Sequence, residues 1–77
     1  METAFVIINT MLGQEIDVAK KLQKIKGVQE VHRLYGIYDI IVKLQAETMG
    51  SLKRATDYIR RTEDVRAVYA LILVQQP

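Results

Sequence analysis

Cysteine and tryptophan are absent from this 77-residue chain, and histidine occurs once. Without cysteine there is no disulfide, thiolate-bound metal, iron–sulfur cluster or CxxC redox pair. His32 has no second histidine or cysteine to join it in a metal site or catalytic pair, so on a strand it is expected to face solvent or an oligomer contact. Aromatic residues make up 6% of the chain. Phe5 and Tyr69 do not form the exposed stacking pattern, set in a basic segment, on which RNA-recognition sheets depend. The longest apolar stretches, 67–74 and 4–8, are far too short to cross a bilayer. The first residues carry no basic leader and no cleavable apolar segment, and a soluble, cytoplasmic protein is the expectation. The only proline, Pro77, ends a tail, Gln75-Gln76-Pro77, expected to be loose.

What is present is apolar and folds. Hydrophobic residues are 49% of the chain and charged residues 26%, with a formal net charge of +2 that does not demand a nucleic-acid partner. One domain, residues 1–77, is the expectation. A core this small supplies roughly 3–5 kcal/mol, and with no cysteine, self-association is the remaining common source of stability.

Hydrophobic periodicity predicts six elements. Ala4–Ile8 is β-branched and aromatic and reads as a strand, closed by Asn9 and Thr10. Residues 14–26 place Val18, Leu22 and Ile25 at helical spacing beside Ala19, with Glu15 and Asp17 at the start and Lys24 and Lys26 at the end, as the helix dipole favours. Gly27 follows as a helix-terminating left-handed residue. Two strands, 28–35 and 38–44, are expected next, joined through Gly36 and Ile37. A second helix, 46–62, sets Met49, Leu52, Ala55 and Ile59 on one face and Lys53, Arg54, Arg60 and Arg61 largely on the other, with Thr48 as N-cap. The last strand spans 65–74. An offset of 37 residues superimposes Leu22 on Ile59, Val28 on Val65 and Val31 on Val68. The order βαββαβ with this repeat predicts an α+β, ferredoxin-like fold: a four-stranded antiparallel sheet with both helices on one face.

Two helices cover one sheet face, and a solvated second face would show alternation of apolar and polar residues. Phe5–Ile8, Ile40–Val42 and Val68–Val74 are instead apolar at consecutive positions. A second copy stacked sheet to sheet about a two-fold axis is the simplest cover.

Nothing assembles a nucleophile, a base and an oxyanion site, so an enzyme is not expected. Ser51, at a helix start, reads as a surface hydroxyl, and Glu47, Glu63 and Asp64 as solvated charge. The basic face of the second helix is interrupted by acids and reads as a solvated face; no helix-turn-helix segment is present. The turn Gly36-Ile37-Tyr38-Asp39, preceded by Tyr35, carries the remaining chemistry. Gly36 suits a positive φ or a close backbone approach. Asp39 serves equally as an acceptor for backbone N–H groups at the turn or as the partner of a ligand ammonium. Tyr35 and Tyr38 suit walling an apolar side chain or packing at a subunit contact.

The stretch from Lys26 to Leu44, with Tyr35-Gly-Ile-Tyr-Asp-Ile-Ile-Val42 at its centre and Leu52 and Ile59-Arg-Arg61 beyond it, resembles the ligand-binding RAM domain of the Lrp/AsnC (feast/famine) transcription regulators. The likeness covers nearly the whole chain and implies the stand-alone form, without the helix-turn-helix domain and without direct DNA binding. It implies a dimeric α+β barrel through facing sheets, dimers joined into octameric or decameric rings, and an amino-acid effector held between dimers near Gly36, Tyr38 and Asp39. No cofactor is implied. Co-assembly with full-length Lrp-type regulators is a further expectation. The last strand departs from the family: Ala67, Val68 and Ala70 stand where serine or threonine is usual, leaving fewer polar partners for an effector carboxylate. The alternatives are a purely structural assembly domain and a small enzyme of the dimeric α+β barrel type, the latter needing His32 and Asp39 as an acid–base pair.

Overall fold

The computed structural model describes residues 1–74, and the expected loose tail, 75–77, lies outside them. The elements are β1 (Glu2–Thr10), α1 (Glu15–Gln23), β2 (Val28–Arg33), β3 (Ile40–Ala46), α2 (Met49–Arg60) and β4 (Val65–Ile72). They form one antiparallel sheet in the order β2-β3-β1-β4, with the two helices on one face. The ferredoxin-like expectation holds. Among the described residues no helix is long and apolar enough to cross a membrane.

Strand alternation builds the core. Ala4, Val6 and Ile8 of β1 and Ile40, Val42 and Leu44 of β3 turn to the helices and are completely buried. Val18 and Leu22 of α1 and Leu52 and Ile59 of α2 close over them, each also fully buried. The internal repeat is visible here, since Leu22 and Ile59 are equivalent core positions. Val31 and Val68 pack against the same cluster, half-buried.

Several boundaries differ from the sequence expectation. β1 is longer, because it is a central strand and β3 and β4 pair with it on both sides over nearly its full length. α1 stops at Gln23 rather than Lys26: Lys24 and Ile25 donate to Lys21 O and Leu22 O in tightening turns. Gly27 therefore lies past the helix cap. Its φ of +97° and a Cβ position only 2.6 Å from the Gln45 carbonyl oxygen leave glycine as the residue that fits. α2 is trimmed to Met49–Arg60, because Ala46 still pairs with Glu2 in the sheet. Thr48 caps it as expected, its hydroxyl accepting from Ser51 N–H at 3.0 Å. β4 ends at Ile72, although Leu73 N–H still donates to Thr3 O.

The β2–β3 connection needs the largest correction. β2 ends at Arg33 and β3 begins at Ile40, so Tyr35 and Tyr38 belong to neither strand. A loop over 34–39 replaces a tight turn at Gly36 and Ile37. It is closed at its base by Leu34 N–H donating to Asp39 O at 2.8 Å.

The other sheet face carries Phe5, Ile7, Ile41, Tyr69 and Leu71, aligned across strands by the register. Nothing in this chain covers it, and Tyr69 and Leu71 are more than half exposed.

Candidate functional site

At the end of the sheet where β1 finishes and β3 and β4 begin lies a cleft of about 480 Å³. Asn9 and Thr10, the β1–α1 loop with Glu15, Ile37 and Asp39, and Arg66, Ala67 and Tyr69 bring it together from four parts of the chain.

Asp39 is its best-anchored residue. Its backbone N–H donates to Ile8 O at 3.0 Å, and its carbonyl receives Leu34 N–H. Its carboxylate Oδ2 accepts from Thr10 N–H at 2.7 Å and from the Thr10 hydroxyl at 3.3 Å. Oδ2 thus satisfies the last backbone donor of β1, where the β1–β4 register shifts. The expectation that Asp39 accepts a backbone N–H holds, but the donor lies on β1, across the sheet rather than in its own turn. Among the described residues, Oδ1 has no protein donor.

Asn9 lines the same cleft, and its side-chain oxygen is buried without a hydrogen-bond partner among the described residues. Buried polar atoms are normally paired, so this occluded acceptor is an exception beside the cleft. Arg66 is exposed on the β4 side and forms no ion pair among the described residues; Glu15 adds a second carboxylate. One cation thus shares the cleft with two acids, a charge arrangement complementary to a small zwitterion.

The five residues singled out from sequence are divided. Ile37 and Asp39 line the cleft. Tyr38 reaches it indirectly, its ring edge-on to Tyr69 at 5.8 Å between centroids. Tyr35 and Gly36 stand outside it. Tyr35 is fully exposed at the loop tip, and Gly36 has a φ of +153° with open space, clear to 4 Å, where a Cβ would sit. Positive φ, rather than close approach within the chain, explains that glycine. Leu12, Met11, Ile37 and Tyr35 form an exposed apolar rim at this end of the molecule.

Asn9, Thr10, Glu15 and Arg66 were not legible as site residues. Asn9-Thr10 reads as strand punctuation, and Arg66 as one more surface cation. The altered last strand also has a structural explanation. Val68 and Ala70 pair with Ile8 and Val6 on the helix-covered face and pack against the core, so only Ala67 of the three faces the cleft.

His32 and Asp39 do not form a pair. His32 Nε2 is 2.9 Å from Glu30 Oε1 on β2, whereas Asp39 turns to β1 on the far side of β3. His32 is exposed, as expected. The hydrogen bond from His32 holds the Glu30 carboxyl below its ordinary value, against an opposing desolvation and with smaller help from the charges of Lys43 and His32.

Residues 3–77 match the family pattern described as the Lrp/AsnC ligand binding domain. The HTH-type transcriptional regulator FL11 of Pyrococcus furiosus is 29% identical over 72 residues, covering 94% of this chain and 48% of the regulator. The chain thus spans about half the length of that curated relative. Homocitrate synthase of Saccharolobus solfataricus is 36% identical over 59 residues, 77% of this chain but 13% of the enzyme. Among solved structures, FFRP-DM1 superimposes with a TM-score of 0.90 at 33% identity, over 96% of this chain and all of that one. By sequence pattern and by fold, the chain belongs to the Lrp/AsnC family, as its ligand-binding domain.

Proposed function

We propose that this chain is an effector-sensing, self-associating module of transcription regulation that binds a small amino-acid-like zwitterion in the Asp39 cleft. The single observation that carries the reading is the half-engaged carboxylate of Asp39: Thr10 fixes Oδ2 and Oδ1 is left for a ligand. An α-ammonium bonds Oδ1, and an α-carboxylate pairs with Arg66. Arg66 takes the part that hydroxyls on the last strand take elsewhere in the family. Charge-assisted bonds of this kind are about twice as strong as neutral ones.

The apolar rim of Leu12, Ile37 and Tyr35 supports a cleft that is completed by a neighbouring dimer, since exposed apolar patches of this kind mark contact surfaces. A ligand shared across that seam favours the assembled state by its difference in affinity for the two states. The output passes through partners, with full-length Lrp-type regulators as co-assembling subunits. The likeness to a stretch of homocitrate synthase supports a module whose sensing is separable from DNA binding.

Calorimetric titration with the common amino acids, alongside light scattering, tests this. Binding is expected for at least one amino acid, lost in Asp39→Asn and in Arg66→Ala, with a ligand-dependent rise in mass. If no amino acid gives heat and the mass ignores them all, the chain is instead a structural assembly domain.

A further inference from the structure

We infer that a second surface, the basic groove between the C-terminal end of α1 and one face of α2, binds a single strand of nucleic acid. The groove encloses about 820 Å³ and shares no residue with the Asp39 cleft. Five cations line it, Lys21, Lys24 and Lys26 on one wall and Arg54 and Arg61 on the other, against one acid, Glu63. All five are exposed. None of them is ion-paired among the described residues, where the pairs are Glu30 with His32 and Lys43, and Asp57 with Arg60. The acid that interrupts the basic run of α2 in sequence is thus neutralised by Arg60, and neither residue lines the groove.

The dipole of α1 accounts for lysines near its C-terminus. It does not account for Arg54, which lies in the N-terminal half of α2, where a cation gains nothing from the dipole. Arg54, Tyr58 and Arg61 recur at helical spacing along one face, over about 10 Å of axis. Tyr58 is 59% exposed between the two arginines, and Ile25 and Ala55 form a half-buried apolar floor beneath.

Cations without carboxylate partners, an exposed ring between them and an apolar floor are what a single strand requires: phosphates along the walls and an unstacked base on the ring. An acidic peptide uses the charges but leaves the ring idle. A duplex keeps its bases stacked inside and offers Tyr58 no face. The groove lies on the helical layer, opposite the uncovered sheet face, so it stays accessible when two sheets pair.

Fluorescence anisotropy of the full chain with labelled single-stranded oligonucleotides, one DNA and one RNA, tests the inference across a salt series. Five phosphate contacts predict a slope of log K against log salt near −3.5, at about 0.7 per contact. The double variant Lys24→Ala/Arg61→Ala is expected to reduce that slope by about 1.4. Tyr58→Ala is expected to weaken binding by between about 5-fold and 150-fold with the slope unchanged. Lys53→Ala, an exposed cation of α2 outside the groove, serves as the matched control and is expected to bind as wild type. Binding of either oligonucleotide with this pattern supports the inference, and the preferred one names the source. Absence of binding, equal affinity for a duplex, preference for polyglutamate, or an equal loss in Lys53→Ala overturns it.

Discussion

Gly27 and Asp64 are the same turn built twice. They lie 37 residues apart, each just before a strand, with φ of +97° and +69°. Each offers its carbonyl to the end of a neighbouring segment: Gln45 N–H donates to Gly27 O at 2.9 Å and Met11 N–H to Asp64 O at 2.8 Å. The repeat in the apolar residues thus extends to backbone geometry, because each half must reverse from helix to strand in the same way. The two positions differ in space. A Cβ at Gly27 meets Gln45 O, whereas the turn at Asp64 accommodates a side chain, and aspartate tolerates the left-handed region better than most residues.

That difference sets the first expected outcome. Gly27→Ala adds left-handed strain and a backbone clash and should cost about 2–4 kcal/mol. Asp64→Gly should stay within about 1 kcal/mol of wild type, the relief of strain offset by a more flexible unfolded chain. Urea denaturation of both variants checks this, and equal losses would contradict it.

Asp39 has a structural task besides its proposed ligand. Asp39→Ala leaves the buried Thr10 N–H without its acceptor and should cost about 1–3 kcal/mol. Asp39→Asn keeps an acceptor for Thr10 and should lose less. Comparing thermal unfolding of the two variants separates the hydrogen bond from the charge.

The uncovered sheet face should hold the dimer together. Ile7 lies at its centre, paired with Ile41 on one side and Tyr69 on the other, and is not part of the helix-side core. Ile7→Lys should weaken self-association by more than about 30-fold, the loss expected of a central contact, while the monomer keeps its fold. Sedimentation velocity reads this directly, and an unchanged mass at low concentration would count against the sheet-to-sheet dimer.

Glu30 provides a pH dependence of known sign. Its folded-state pKa lies below the ordinary 4.5, mainly because His32 hydrogen-bonds the carboxylate. The unfolded chain therefore binds the proton more readily. The contribution to stability is complete above the ordinary carboxylate value and is lost as pH falls through the lower folded value. The difference in melting temperature between wild type and Glu30→Gln should shrink as pH falls below about 4.5. A difference that grows below that pH would refute the assignment.

Element types and the buried face were legible in the sequence because they rest on local periodicity. Val18, Leu22, Leu52 and Ile59 announce their helices, and the apolar runs announce a sheet with two greasy faces. The repeat that aligns Leu22 with Ile59 fixed the topology. Strand ends were less legible: β1 extends to Thr10 because two neighbours hold it, and β2 stops at Arg33 because the chain turns to anchor Asp39. Those limits are set by pairing partners distant in sequence.

Asp39 could be picked out from the residues around it, since a carboxylate between a glycine turn and an apolar strand stands out locally. Asn9 and Arg66, which share its cleft, lie 30 residues before it and 27 after it, and nothing local distinguishes them. The basic groove is the same case. Its lysines and arginines read as two solvated helix faces until packing on one sheet face sets α1 beside α2 and Arg60 neutralises Asp57. Local chemistry determined which segments fold and which face they bury; only tertiary structure decided which polar groups meet, because side-chain convergence is a property of the packed sheet and helices.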